Sequence, residues 1–293
     1  MNLIRLENAS FVAEIATHGA ELKRLQSKHS GRNYIYDGKD SWKRSAPVLF
    51  PNIGGLAEET YLYAGKEYPA PAHGFARDMD FVLLEQSADT AVFALESSEC
   101  TKQFFPFAFA LKIRYTLLEN GIQVTWQVEN KDTCTMYFSI GAHPGFQLLP
   151  GTTLSDYTLQ FDSPCKMETR RVMGRYLTQE KELLADACNA FPLSPYVMEK
   201  DAIILEDTGL SKITLAAPHH NYRLWIEFPD FPVVAVWTDP HTAKTAQFIC
   251  LEPWCGINDL CGEPKKDISE KKRITALPEK ATFERSYTIG IQE

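Results

Sequence analysis

Phe107-Ala108-Phe109-Ala110-Leu111-Lys112-Ile113-Arg114-Tyr115-Thr116-Leu117, then Asn120-Gly121, then Ile122-Gln123-Val124-Thr125-Trp126-Gln127-Val128-Glu129 is the stretch that decides the fold. In both halves large apolar residues take alternate positions and smaller or polar ones fill the places between. That is the period of a strand with one buried face. Asn-Gly between two such runs predicts a hairpin, because both residues tolerate positive φ. The sheet it belongs to should pack on one side and meet water or a ligand on the other.

The same period recurs outward from the hairpin. Phe11 to Ile15, Asn33 to Asp37 and Asp89 to Leu95 read as strands before it. Met136 to Ile140, Tyr157 to Phe161, Ala202 to Glu206, Ile213 to Ala216, Tyr222 to Phe228, Val233 to Trp237, Phe248 to Glu252 and Thr282 to Ile291 follow. Helical periodicity is weak; Gln179 to Ala187 predicts one short helix around Leu183, Leu184 and Ala187. Many strands separated by turn signals predict an all-β protein, a large antiparallel sandwich. No repeat, low-complexity segment or linker divides the chain, so residues 1–293 are expected to form a single domain.

The charge of −8 leaves no basic excess to neutralise phosphates, which argues against a nucleic-acid partner. No apolar run approaches the ~18 residues that span a bilayer, so no membrane partner is expected. The N-terminal Met1-Asn2-Leu3-Ile4-Arg5-Leu6-Glu7 meets charge too early for a signal peptide. The seven cysteines are scattered, without the spacing of a zinc ribbon. The expected state is reduced thiols in the cytoplasm.

The chemistry concentrates in short segments where polar residues are conformationally restrained. Phe248-Ile249-Cys250-Leu251-Glu252-Pro253-Trp254-Cys255-Gly256 starts as a buried strand and then meets a carboxylate, a proline and a tryptophan. A carboxylate placed there is costly unless paired or used. Pro253 confines Glu252 to extended angles, and Trp254 offers a flat face of the kind that receives a sugar ring. Ser139-Ile140-Gly141-Ala142-His143-Pro144-Gly145-Phe146 repeats the device: an ionisable side chain before proline, with Gly141 and Gly145 leaving room for a ligand. In Pro71-Ala72-His73-Gly74-Phe75-Ala76-Arg77 an extended backbone would set His73, Phe75 and Arg77 on one face. Ala46-Pro47-Val48-Leu49-Phe50-Pro51-Asn52-Ile53-Gly54-Gly55 adds Asn52 as a hydroxyl-binding candidate. Phe75, Phe146, Trp237 and Trp254 could cover the apolar face of a sugar ring, or simply fill the core.

Together with Gly19-Ala20-Glu21-Leu22 and Tyr63-Ala64-Gly65-Lys66-Glu67-Tyr68, these segments resemble, in this order, the aldose 1-epimerase (galactose mutarotase-like) family, and within it the LacX-like branch. The resemblance implies a β-supersandwich that binds an aldohexose on a concave sheet face without a metal or organic cofactor. It implies Glu252 as base, His143 as acid, His73 as a contact to the ring oxygen or a nearby hydroxyl, and Asp201 as a hydroxyl-binding aspartate. One departure stands out: the family's common Gly-Arg is Gly54-Gly55 here, leaving Arg77, or less directly Arg44, to supply a cationic donor.

The residue types fit the chemistry. Anomer interconversion opens the hemiacetal by removing a proton from the anomeric hydroxyl and giving one to the ring oxygen, then reverses both. Competing readings are a metal hydrolase using His73, His143 and Glu252, which lacks any HExxH-like spacing, and a glycosidase pairing Glu252 with Asp201, Asp239 or Asp259. A non-catalytic sugar binder on the same fold is a further alternative. So is a hexose-6-phosphate mutarotase, which would need Lys43, Arg44 and Arg77 to converge.

Overall fold

The computed structural model describes residues 2–217 and 222–293. The hairpin forms between Phe109–Leu118 and Gly121–Asn130. Leu118 pairs with Gly121, so the loop is Glu119-Asn120 and not Asn120-Gly121 as expected. The difference in register is even, so each side chain keeps its face. Gly121 serves a different need: a Cβ there would lie 1.9 Å from the Ile289 carbonyl oxygen of the next strand. Ile122, Val124, Trp126 and Val128 are buried, and the residues between them are half-buried.

This hairpin is part of one antiparallel sheet of 15 strands. The sheet runs from Val48–Leu49 through Ile140–Ala142, Phe248–Cys255, Val233–Trp237, Ile203–Glu206 and Thr158–Thr169. It continues through Lys212–Ala216, Arg223–Glu227, Thr282–Gln292 and the hairpin to Thr90–Glu96 and Val82–Gln86. Gly145–Gln147 and Glu182–Pro192 pair to its side. A three-stranded sheet, Leu3–Glu7, Phe11–Ala16 and Leu22–Ser27, closes on the same core, which takes in residues from Leu6 to Ile291. The Tyr115 hydroxyl ties the two sheets by donating to the Ala20 carbonyl at 2.7 Å. The expected large antiparallel all-β sandwich is what forms. Among the described residues no helix is long and apolar enough to cross a membrane.

Two local expectations are corrected. The segment expected to be a helix lies largely within Glu182–Pro192, a strand paired with Thr158–Thr169 across several register shifts. The neighbouring strand decides it: Leu183 is exposed, so no apolar helical stripe is being buried. Asn33 to Asp37 makes isolated bridges only, at Asn33 and Ile35. The Asn33 side-chain oxygen accepts from the backbone N–H of Leu25 and Ile35, taking the place of a ladder.

Behind the hairpin, Trp126 lies 5.3 Å from the Tyr287 ring and 5.9 Å from that of Phe231, centroid to centroid. Trp126→Ala should therefore lower unfolding free energy by about 3–5 kcal/mol in a denaturant titration. A loss below about 1 kcal/mol would contradict this packing.

Candidate active site

Along Phe248–Cys255 the side chains alternate. Ile249 and Leu251 enter the main core, while Cys250, Glu252 and Trp254 face the other way. The strand does not stop at Glu252-Pro253; it pairs with Val233–Trp237 from Cys250 to Trp254. Its opposite edge is where pairing breaks. Ile140 and Gly141 pair with Cys255 and Trp254, and Gly145 to Gln147 resume against Cys250 to Phe248. His143-Pro144 falls in the gap, opposite Glu252. Proline has no N–H to give a ladder, so the break costs little there.

The result is a close pair: His143 Nε2 lies 3.3 Å from Glu252 Oε2. Both residues are buried. Trp42 stacks on the His143 ring at 4.8 Å and Trp237 meets it edge-on at 5.4 Å. Gly141 and Gly145 make room for these walls rather than for a ligand. A Cβ at Gly141 would come within 2.5 Å of the Trp254 ring, and one at Gly145 within 2.8 Å of Trp42.

Burial pushes the Glu252 carboxyl well above the usual carboxylate range, and the negative charge of Asp201 adds to it; the Trp254 indole N–H offsets a little. Burial also holds His143 well below the usual histidine value, with His73 and Arg77 pressing the same way. The surroundings of His143 are aromatic and cationic, and so favour its neutral form. Between these two shifted values the pair carries one proton.

His73 stands beside them, its ring 5.8 Å from that of His143. It does not lie on an extended segment: His73 and Gly74 have φ of 65° and 72°, and Ala76–Asp78 is a 3₁₀ turn. A Cβ at Gly74 would sit 2.1 Å from the Phe50 carbonyl oxygen, so only glycine allows this turn. The Gly54 N–H donates to His73 Nδ1 at 3.2 Å, which leaves Nε2 as the protonated nitrogen. Burial, followed by Arg77, Arg44 and Arg175, lowers His73 to about 3, so it is a neutral donor. Arg77 donates to the Ala72 carbonyl at 2.7 Å; burial and then Arg44 lower its value to about 10, still charged at neutral pH.

These residues surround a cavity of about 580 Å³. His143, Glu252, His73, Arg77, Asp201 and Trp254 all line it, together with Trp237. Phe75 and Asn52 do not. Phe75 belongs to the aromatic core, against Phe50, Phe104 and Phe109, because the turn at His73-Gly74 swings it inward. Asn52 is a structural residue whose amide donates to the carbonyls of Gly54 and Pro71. Phe146 is core, Arg44 pairs with Asp78, and Lys43 donates to Lys39 O. The sequence reading missed Trp42, Arg175 and Asn258, which also line the cavity. None lies in a run with strand period, so no local pattern marked them.

Ligand atoms of His143, Cys250 and Glu252 lie within 4.8 Å of one another, a trio able in principle to hold a divalent cation. Burial and the nearby Glu252 charge raise the Cys250 thiol well above its usual value, which opposes the thiolate such a site requires.

A family model described as aldose 1-epimerase matches residues 2–274. The chain belongs to that family. It is 28% identical to protein LacX (plasmid) of Lactococcus lactis subsp. lactis, over 98% of this chain and 99% of LacX. A galactose mutarotase-like protein from Lactobacillus casei ATCC 334 superposes with a TM-score of 0.92 at 32% identity, covering 99% of this chain and 100% of that one. A galactose mutarotase related enzyme from Lactobacillus acidophilus gives 0.93 at 28% identity, covering 100% and 98%.

The raised Glu252 value makes a stability prediction for this epimerase-family chain. Folding favours the neutral acid, so stability falls as pH rises past the ordinary carboxylate value. Glu252→Gln lacks that penalty. Its melting temperature should exceed the parent's by a margin that widens by about 2–4 °C between pH 5 and pH 8. A pH-independent margin in differential scanning calorimetry would refute the assigned shift.

Proposed function

We propose that this protein is an aldose 1-epimerase that interconverts the α and β anomers of an aldohexose, with Glu252 and His143 exchanging protons with the substrate. The observation that carries the reading is the 3.3 Å pair of opposed ionisable groups, lining a cavity of sugar size. A sugar seated against both would present its anomeric hydroxyl to Glu252 and its ring oxygen to His143. The carboxylate takes the hydroxyl proton while the imidazolium gives its proton to the ring oxygen. The C1–O5 bond breaks as C1=O forms. After rotation about C1–C2, the C5 hydroxyl oxygen attacks the other face and both protons return.

The shifts act in two directions. They make the carboxylate–imidazolium form of the pair the minor one. Within that form they make the carboxylate a stronger base and the imidazolium a stronger acid, which favours both transfers. The neutral His73 and charged Arg77 supply donors for ring substituents, and Asp201 supplies an acceptor. Trp237 and Trp254 offer flat faces to the ring. No metal or organic cofactor has a role in this scheme. A second substrate reading, the aldohexose 6-phosphate, is favoured by the two guanidinium groups, Arg77 and Arg175, at the same cavity.

Polarimetry on freshly dissolved α-D-glucose, α-D-galactose and glucose 6-phosphate tests the reading. The wild type should speed the drift to equilibrium, and Glu252→Gln or His143→Asn should slow it by about 10²–10⁴-fold. A drift no faster than buffer with all three sugars sinks the proposal and leaves a binding protein. In kcat/KM against pH, the one-proton pair predicts a plateau without an inflection near the ordinary histidine value. The acid limb should lie below it and the alkaline limb above the usual carboxylate range. An inflection at about pH 6.5 would assign the essential proton to an unshifted histidine.

A further inference from the structure

Val172–Met173 and Tyr176–Leu177 form a small hairpin with Gly174-Arg175 as its loop. Its tip is docked through main chain. The Gly55 N–H donates to the Arg175 carbonyl at 3.1 Å, and the Asn258 amide donates to the same oxygen at 3.0 Å. Below it, the Asp259 N–H donates to Gly55 O, and the Leu177 N–H to Asp259 O. The buried Lys271 ammonium fixes Asp259 at 2.6 Å. Gly55 has no side chain where the tip arrives: a Cβ there would come within 2.7 Å of both Arg175 Cβ and Arg175 O.

The Arg175 side chain is held quite differently from its backbone. Arg175 lines the cavity with His73 and Arg77, and its half-exposed guanidinium is near enough to act on both while it pairs with an equally exposed Glu59. An exposed pair of this kind is weak and readily exchanged for a better partner. Arg77, by contrast, is largely buried, with its Nη2 donating to Ala72 O. A firmly seated backbone thus carries a long, lightly held cation at the wall of the cavity.

We infer that Arg175 is a substrate-binding residue that leaves Glu59 to donate hydrogen bonds to oxygen substituents of a sugar in this cavity, Gly55 being glycine so that the hairpin tip can carry it there. The inference rests on the reading of the cavity as a sugar site, and names a determinant of affinity within it. Arg175 touches ring substituents and takes no part in proton transfer, so its loss should appear in binding and not in turnover.

The test uses the full-length protein with α-D-glucose, α-D-galactose and glucose 6-phosphate as probes. Binding is read by fluorescence of the tryptophans lining the cavity, and turnover by polarimetry. Arg175→Ala should weaken Kd and raise KM by about tenfold or more, the scale of a lost charged hydrogen bond, with kcat within about threefold. Arg175→Lys should recover part of the loss. Glu59→Gln, which frees the guanidinium, should bind at least as tightly as wild type. Since the docking bonds run to the Arg175 carbonyl, Arg175→Ala should keep the wild-type melting temperature. Gly55→Ala, which displaces the tip, should reproduce the KM increase. Unchanged Kd and KM in Arg175→Ala, with active wild type, would overturn this inference alone. Wild type that binds sugar in an Arg175-dependent way but does not speed mutarotation would overturn the proposed function alone. Wild type that binds none of the three sugars would overturn both.

Discussion

A carboxylic acid and an imidazole face each other at 3.3 Å where the sheet fails to complete its ladder, and the rest of the site is arranged around that failure. Both flanking strands are needed. Val233–Trp237 holds the Glu252 strand along one edge, and the two short strands on either side of His143-Pro144 hold it along the other. Neither proline can offer an N–H, so the ladder thins there to a bond from the Leu251 N–H to Pro144 O at 3.3 Å, and the His143 and Glu252 side chains meet beside it. A buried pair of this kind is weak support for folding, since desolvation opposes both charged forms. Its presence fits a chemical role better than a structural one.

The surroundings raise that cost further. Three tryptophans, Trp42, Trp237 and Trp254, wall the cavity, and Trp42 and Trp237 contact His143 directly. His73, lowered to about 3, cannot relieve Glu252 by becoming cationic near neutral pH. The same aromatic walls that shift the pair also present flat apolar surfaces beside polar donors, the mixture suited to a sugar ring. Low dielectric and flat apolar surface therefore come from the same side chains.

One cationic group, Arg175, enters from a separate layer. Gly54-Gly55, the Gly174-Arg175 tip and the Asn258-Asp259 loop stack by main-chain hydrogen bonds and meet at one edge of the cavity. The layer tolerates no bulk: a Cβ at Gly54 would lie 2.0 Å from the Asn258 side chain. The absence of an arginine at position 55 is thus a steric condition for another segment to approach. Read along the chain it looks like a loss, and in the folded protein it is an accommodation.

Local information determined the fold class and most of its strands, because alternation with period two reports burial of one face whatever the partner. It also singled out Glu252, His143 and His73, since an ionisable group beside proline or glycine is locally anomalous, with Arg77 and Trp254 in the same segments; Asp201 came only from the family resemblance. Only tertiary structure could decide the remainder. The strand at Glu182–Pro192 exists because a neighbouring strand offers it hydrogen bonds, and Phe75 turns inward because Gly74 lies against the Phe50 carbonyl. Trp42, Arg175 and Asn258 reach the cavity from segments far apart in the chain and without periodic pattern. The shifts of Glu252 and His143 belong to the same class: desolvation depends on everything packed around a group, and no stretch of sequence contains its own surroundings.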